Sequence, residues 1–224
     1  MTKYRAALIH LAICITVVGI TLLFFAGWIY PIGLYKPLGA LEIVSLIVLV
    51  DLCLGPILTL VVFKTGKKTL VFDMAVIALI QLAALIYGIY SLYESRPVFA
   101  VYSNNQLVLI TNNDIPEQMY VPPLAAGLDR IPLIGIELVG VKIPDDPNIS
   151  FELTMDALSG GADITAKPPF YIRFKEGLAN DGMAIQKDKT ICFDLVVRNK
   201  QLGVLVDMSS ESLIKIFDKE CSNL

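Results

Sequence analysis

The sequence predicts an α+β membrane protein: three N-terminal transmembrane helices followed by a strand-rich α+β extracytoplasmic domain. Composition is the first observation. Of 224 residues, 55% are apolar and 17% charged, against about 45–50% and about 25% in ordinary soluble domains. The second is a set of three long apolar runs, all before residue 95. The third is a break in charge: residues 1–93 carry six basic and three acidic side chains, and residues 94–224 carry twelve and eighteen. This separates a region 1–95 from a region 96–224, with the boundary near Glu94–Pro97. The same balance excludes a disordered or collagen-like chain, and a formal net charge of −3 gives no general affinity for nucleic acid.

A spanning helix needs roughly 20 apolar residues. Residues 6–30 supply one, 41–63 a second and 70–93 a third. Trp28, Tyr30 and Tyr35, and then Tyr87, Tyr90 and Tyr93, fall where interfacial aromatic belts belong. Lys3 and Arg5 precede the first span, and Lys64, Lys67 and Lys68 fill the loop between the second and third; the other joints carry only Lys36 and Arg96. The positive-inside bias therefore places the N-terminus and the basic loop in the cytoplasm and the C-terminal domain opposite, in the periplasm of a bacterium. The first run is too long for a signal-peptide core and no clean A-x-A site follows it, so it is expected to stay as a span. Leu11–Cys14 is only a faint match to a lipoprotein box, and Cys14 reads as a small apolar residue in a helix.

In the outer domain, Val98–Tyr102 and Gln106–Thr111 flank Ser103-Asn104-Asn105 and predict a hairpin. Ile131–Ile143 predicts one or two extended segments. Phe170–Lys175 alternates Phe170, Ile172 and Phe174 against Tyr171, Arg173 and Lys175, as a half-buried strand would. Ile191–Arg198 and Gln201–Asp207 flank Asn199-Lys200 and predict a second hairpin, and Leu213–Phe217 either extends that meander or forms a short helix. Pro122-Pro123, Pro144–Pro147 and Pro168-Pro169 punctuate the domain.

Several segments resemble the type IV pilin accessory proteins of the TfpX/TfpZ kind. The resemblance runs through Val50-Asp51-Leu52-Cys53-Leu54-Gly55-Pro56, Phe63-Lys64-Thr65-Gly66-Lys67-Lys68, Phe72-Asp73 and Ala78–Tyr90 to Glu94-Ser95-Arg96-Pro97-Val98. It continues more loosely at Leu133-Ile134-Gly135, Gly160–Asp163, Pro169–Tyr171 and Leu205–Asp207, while the terminal Cys221-Ser222-Asn223-Leu224 departs from the pattern. It implies a multi-pass inner-membrane protein that assists assembly, stability or dynamics of a cognate major pilin. Its implied partners are the lipid bilayer, that pilin and other membrane proteins of the pilus machinery. It brings no catalytic residues and no cofactor.

The residues themselves agree that this is not an enzyme. His10, the one histidine, lies in the first span, so a Ser-His-Asp or Cys-His site in the outer domain is excluded. Cys192 and Cys221 lack C-x-x-C spacing, so no metal site is expected. In an oxidising compartment they form either a disulfide or two buried free thiols. No phosphate-binding glycine motif occurs. Asn148-Ile149-Ser150 matches a glycosylation sequon by three residues only, and Asp145-Asp146 sits between prolines as a solvated turn.

Polar groups inside the spans say more. Asp51 and Gln81 each lie 13 residues from the basic loop, roughly 20 Å in at 1.5 Å per residue. A charge at that depth costs at least about 2.5 kcal/mol. Asp51, Gly55 and Thr59 recur at i, i+4, i+8; Ile77, Gln81, Ala84, Gly88 and Ser91 form a matching stripe, and Ala12, Thr16, Gly19 and Ala26 another. Pro56 cannot donate to the carbonyl of Leu52, so a kink with a free acceptor is expected beside Asp51. Three readings stay open: an Asp51–Gln81 bond that fixes the bundle, a polar seam facing a guest helix such as a pilin's, and an ion or proton path. Lys64, Lys67 and Lys68 read as topology and lipid-headgroup contacts. Two function classes follow, a pilin accessory protein and a small membrane transport or signalling subunit with an extracytoplasmic sensor domain.

Overall fold

The computed structural model describes residues 2–116, 127–128, 130–182 and 190–221. The Pro122-Pro123 punctuation lies outside them. The chain forms two compact units, one of residues 1–29 and 39–94, the other of residues 30–38 and 95–224.

The first unit is helical. Helix α1 (Lys3–Phe24) starts at Thr2, whose side chain accepts from the Arg5 amide, and ends in a π-turn, Phe25–Ile29. The second apolar run is broken into α2 (Ala40–Val48), a π-turn (Leu49–Leu54) and α3 (Gly55–Val62), followed by α4 (Leu70–Glu94). Lys3–Ile29, Ala40–Val62 and Leu70–Glu94 are each long and apolar enough to cross a membrane. Stray hydroxyls on them are satisfied locally: Thr16 and Thr21 donate to the carbonyls of Ala12 and Val17, and Ser45 to that of Glu42. With these hydroxyls satisfied inside their own helices, hydrocarbon is a tolerable solvent for the faces that carry them.

The second unit is built on a seven-stranded mixed sheet: β1 (Pro97–Ser103), β2 (Gln106–Thr111), β3 (Glu137–Val141), β4 (Tyr171–Arg173), β5 (Thr190–Val197), β6 (Lys200–Asp207) and β7 (Ser212–Phe217). The spatial order is β4-β3-β1-β2-β5-β6-β7. β1–β3 and β2–β5 pair in parallel and the other neighbours antiparallel. Parallel neighbours require crossovers, and helices α5 (Pro147–Leu158) and α6 (Phe174–Asn180) lie in the long connections.

β1 is central and buried on both faces, Val98–Tyr102 being at most 2% exposed. Phe99 packs edge-on against Tyr171 on one face, and Tyr102 against Phe174 and Phe193 on the other. Gly140 of β3 meets Gly177 of α6 backbone to backbone; a Cβ at 140 would come within 2.9 Å of the Gly177 Cα. The close approach seats α6 on the sheet. Residues 30–38 belong to this unit, with Tyr30, Leu34 and Leu38 buried and the 3-10 turn Pro31–Gly33 against β7.

Several elements differ from the sequence reading. Phe170–Lys175 is not a strand: only Tyr171–Arg173 pairs, and Phe174 opens α6. Tyr171 is buried rather than outward, its hydroxyl donating to the Thr165 carbonyl at 2.7 Å. Four neighbouring apolar side chains all found core positions there, so alternation was a poor guide. Of Ile131–Ile143, only Glu137–Val141 is strand. The second hairpin turns at Arg198-Asn199, because Val197 pairs with Lys200. Leu213–Phe217 extends the sheet.

Candidate functional site

The site forms where the middle span departs from α-helical geometry. In an α-helix Pro56 would stand opposite the Leu52 carbonyl. Here the chain widens into the π-turn Leu49–Leu54, and the Gly55 amide donates to Val50, five residues back. In that register the N–H that Pro56 lacks belongs opposite the carbonyl of Asp51. The free acceptor is therefore Asp51's own carbonyl and not that of Leu52. Gln81 on α4 supplies the missing donor, its Nε2 lying 3.2 Å from the Asp51 carbonyl oxygen.

The bond between Asp51 and Gln81 thus runs to the main chain. Asp51 is 4% exposed and Gln81 8%. Both carboxylate oxygens of Asp51 and Oε1 of Gln81 are buried with no hydrogen-bond partner among the described residues. Gly55 makes the approach possible: a Cβ there would overlap the Gln81 carboxamide. Gly88 does the same for Ile47 one seam along. Thr59, wholly buried, meets His10 of α1 with Oγ1 2.6 Å from Nδ1. The Cys14 sulfur, also on α1, lies 3.6 Å from Gln81 Nε2. All three spans contribute polar groups to this seam.

The structure brings Asp51, Gly55, Pro56, Thr59 and Gln81 to one buried face. The first span differs from its sequence reading. Ala12, Thr16 and Ala26 face outward, and Ala7, Val18, Phe25 and Ile29 are buried. Thr16 can face lipid because its hydroxyl bonds its own helix, which removes the reason to turn it inward. His10 and Cys14, four residues apart on one helical face, are site residues that the sequence reading left out of the seam.

In the basic loop Lys64, Lys67 and Lys68 are exposed, and Lys67 Nζ pairs with Asp73 at 2.6 Å. Thr69 donates to the same carboxylate. In the second unit the sulfurs of Cys192 and Cys221 lie within bonding distance, with Cα atoms 5.8 Å apart. The C-terminal segment reaches β5 across Gly203, where a Cβ would stand 2.6 Å from the Lys219 carbonyl. The Cys221 amide donates to Asp194 at 2.7 Å. Among the described residues no group of three or more His, Cys, Asp or Glu side chains is placed to hold a metal ion.

Three curated proteins of Dichelobacter nodosus are similar to this chain. The serogroup I fimbrial assembly protein is 29% identical over 174 residues, 76% of this chain and 66% of its own length. The serogroup E1 protein is 29% identical over 158 residues, 70% of this chain and 60% of its own length. The fimbrial assembly protein of serogroups C1 and C2 is 35% identical over 111 residues, and the match takes in 83% of that relative and 48% of this chain. The chain belongs to the fimbrial assembly protein family. It spans about two thirds of the length of the serogroup I member and 60% of the E1 member. No family model matches the chain, and no solved structure does.

Proposed function

We propose that this fimbrial assembly protein is an inner-membrane accessory factor of type IV pilus biogenesis, of the TfpX/TfpZ kind. Its three-span bundle holds the apolar helix of a cognate major pilin, and its second unit, on the periplasmic side, meets the pilin's soluble head. The observation that carries this reading is the set of buried polar side chains Asp51, Thr59 and Gln81 within the spans, in a family whose named members serve fimbrial assembly. A bundle that merely anchored a soluble domain would have no use for a carboxyl at that depth, where a charge costs several kcal/mol. Two polar residues facing each other across a seam also give a neighbouring helix something to recognise beyond shape.

The orientation rests on charge. Lys64 and Lys68 are exposed in a short loop, which favours the cytoplasmic face. For the soluble head, α5 offers a surface. Phe151, Met155 and Leu158 recur at i, i+4, i+7 and are 66%, 47% and 77% exposed. Asp146 and Glu152 lie near them, while Asp145 and Asp156 pair with Lys142 and Lys167, so the surface suits an apolar patch with a lysine or arginine at its rim.

Deletion of the gene tests the reading. Surface pili, twitching motility or pilin abundance should fall, and restoring the full chain should return them. Unchanged values of all three in the deletion strain would overturn the accessory role.

A further inference from the structure

In the first unit α1 and α4 both pack on the middle span, and a cavity of about 180 Å³ lies between them. Its walls are apolar, with Val17 on α1 and Leu82 on α4, and its floor is polar, with His10, Cys14, Asp51 and Gln81. That floor is unbalanced. Gln81 spends its two N–H donors on the Asp51 carbonyl and the Cys14 sulfur, while three buried oxygens, both of the Asp51 carboxyl and Oε1 of Gln81, receive nothing among the described residues. Buried acceptors without donors are costly, more so away from water.

The chemistry of the floor narrows the occupant. It needs hydrogen-bond donors, which a lipid acyl chain lacks. A bound metal ion would need more ligands than one carboxyl and one amide oxygen, and no such cluster is present among the described residues. The apolar walls at mid-span depth admit a partner that is itself soluble in lipid. A cavity of this size takes one or two side chains and not a whole helix, so the partner docks along the opening between α1 and α4 and inserts a side chain.

We propose that the α1–α4 cavity is the seat of a fourth transmembrane helix, that of the pilin, and that a hydroxyl, amide or amine donor on that helix bonds the Asp51 carboxyl and Gln81. This rests on the pilin-holding reading above and specifies where and by what chemistry the helix is held.

The test uses the full chain in membranes of cells that also make full-length pilin. A photo-crosslinking residue is placed at Val17 or Leu82, in the cavity walls, or at Leu46 or Ile57, exposed on the middle span. Pilin adducts are expected from positions 17 and 82 and not from 46 and 57. Asp51→Leu should lower the adduct yield at position 82 at least about ten-fold, a loss of about 1.4 kcal/mol, and Asp51→Asn, which keeps an acceptor oxygen, should retain most of it. Val17→Phe fills the cavity without touching the floor and should abolish the adduct at 82 with the protein level unchanged, which covers the case of a poorly inserted Asp51→Leu. Adducts from 46 or 57 alone would overturn the cavity as the seat while leaving the pilin-holding reading intact. Full yield in both Asp51→Leu and Val17→Phe would overturn the proposed recognition. Absence of adducts at all four positions would overturn the seat and the pilin-holding reading together.

Discussion

Gln81 Nε2 donates across the bundle to the backbone carbonyl of Asp51 at 3.2 Å, the acceptor that Pro56 leaves open in the π-turn before it. The two residues are coupled through a third. Remove the proline and the carbonyl can find its own partner at residue 56; remove the glutamine and it has none.

A double-mutant cycle reads that coupling. Gln81→Leu should destabilise the bundle by roughly 0.6–1.7 kcal/mol, the range for hydrogen bonds between membrane helices. In a Pro56→Ala background the same change should cost measurably less, because an alanine at that position brings the N–H that the π register lacks. Unfolding of the purified protein in mixed micelles gives the four values. Additive single changes would show that Gln81 acts on something other than this carbonyl.

Gly55→Ala should mimic the loss of Gln81 without touching it. The added methyl occupies the position of the carboxamide, so Gln81 must leave the seam. Destabilisation close to that of Gln81→Leu is expected, and combining the two should add little. If Gly55→Ala is neutral, the carboxamide has another route to Asp51.

How much of this was legible in the sequence follows from what each signal measures. Apolar run length sees spans well, because lipid imposes it. The first hairpin was legible since Asn104 and Asn105 tolerate the left-handed backbone they adopt, at φ 51 and 64. Asp51, Gly55, Thr59 and Gln81 stood out because a polar or small residue in a span is conspicuous at helical spacing. The inward face of α1 was not legible: in lipid a helix is apolar all round, and periodicity says nothing about which side is packed. Helix α5 does carry a sequence signal. Asp146 caps its first turn by accepting from the Asn148 amide, and Pro147 holds the first helical position. Its apolar stripe faces solvent, however, and the Asp-Asp-Pro start resembles a turn. The partner of Gln81 was beyond sequence because it depends on a local π register.

Cys192 and Cys221 should be joined in protein from an oxidising compartment. Their 29-residue separation corresponds to roughly 3–4 kcal/mol in the chain-entropy account. Mass spectrometry after alkylation without reductant should find both thiols unmodified, and Cys192→Ser should lower the melting temperature of the second unit. Alkylation at both positions would rule the bridge out.

Alkaline phosphatase fused after residue 221 should be active and, fused at Thr65, inactive. The loop that holds Lys64 and Lys68 would then be cytoplasmic and the second unit periplasmic. The opposite pattern would remove the periplasmic assignment and, with it, the oxidising environment argued for the two cysteines.

The α5 surface makes a prediction separable from the bundle. Phe151 and Leu158 are exposed, so Phe151→Ser with Leu158→Ser should leave the fold and melting temperature within about 0.5 kcal/mol of the parent. If the stripe receives the pilin head, the double change should weaken its crosslinking from α5, while adducts from the transmembrane position 82 persist through the helix contact. Raising salt should weaken the α5 contact in the parent, since Glu152 beside the stripe would be screened from a basic rim. Replacing Glu152 by lysine should do so more strongly than salt, by turning attraction into repulsion. A head contact indifferent to salt, to the lysine and to the two serines would place it on another face of the domain. Loss of adducts at 82 as well would show that head and helix are held as one unit.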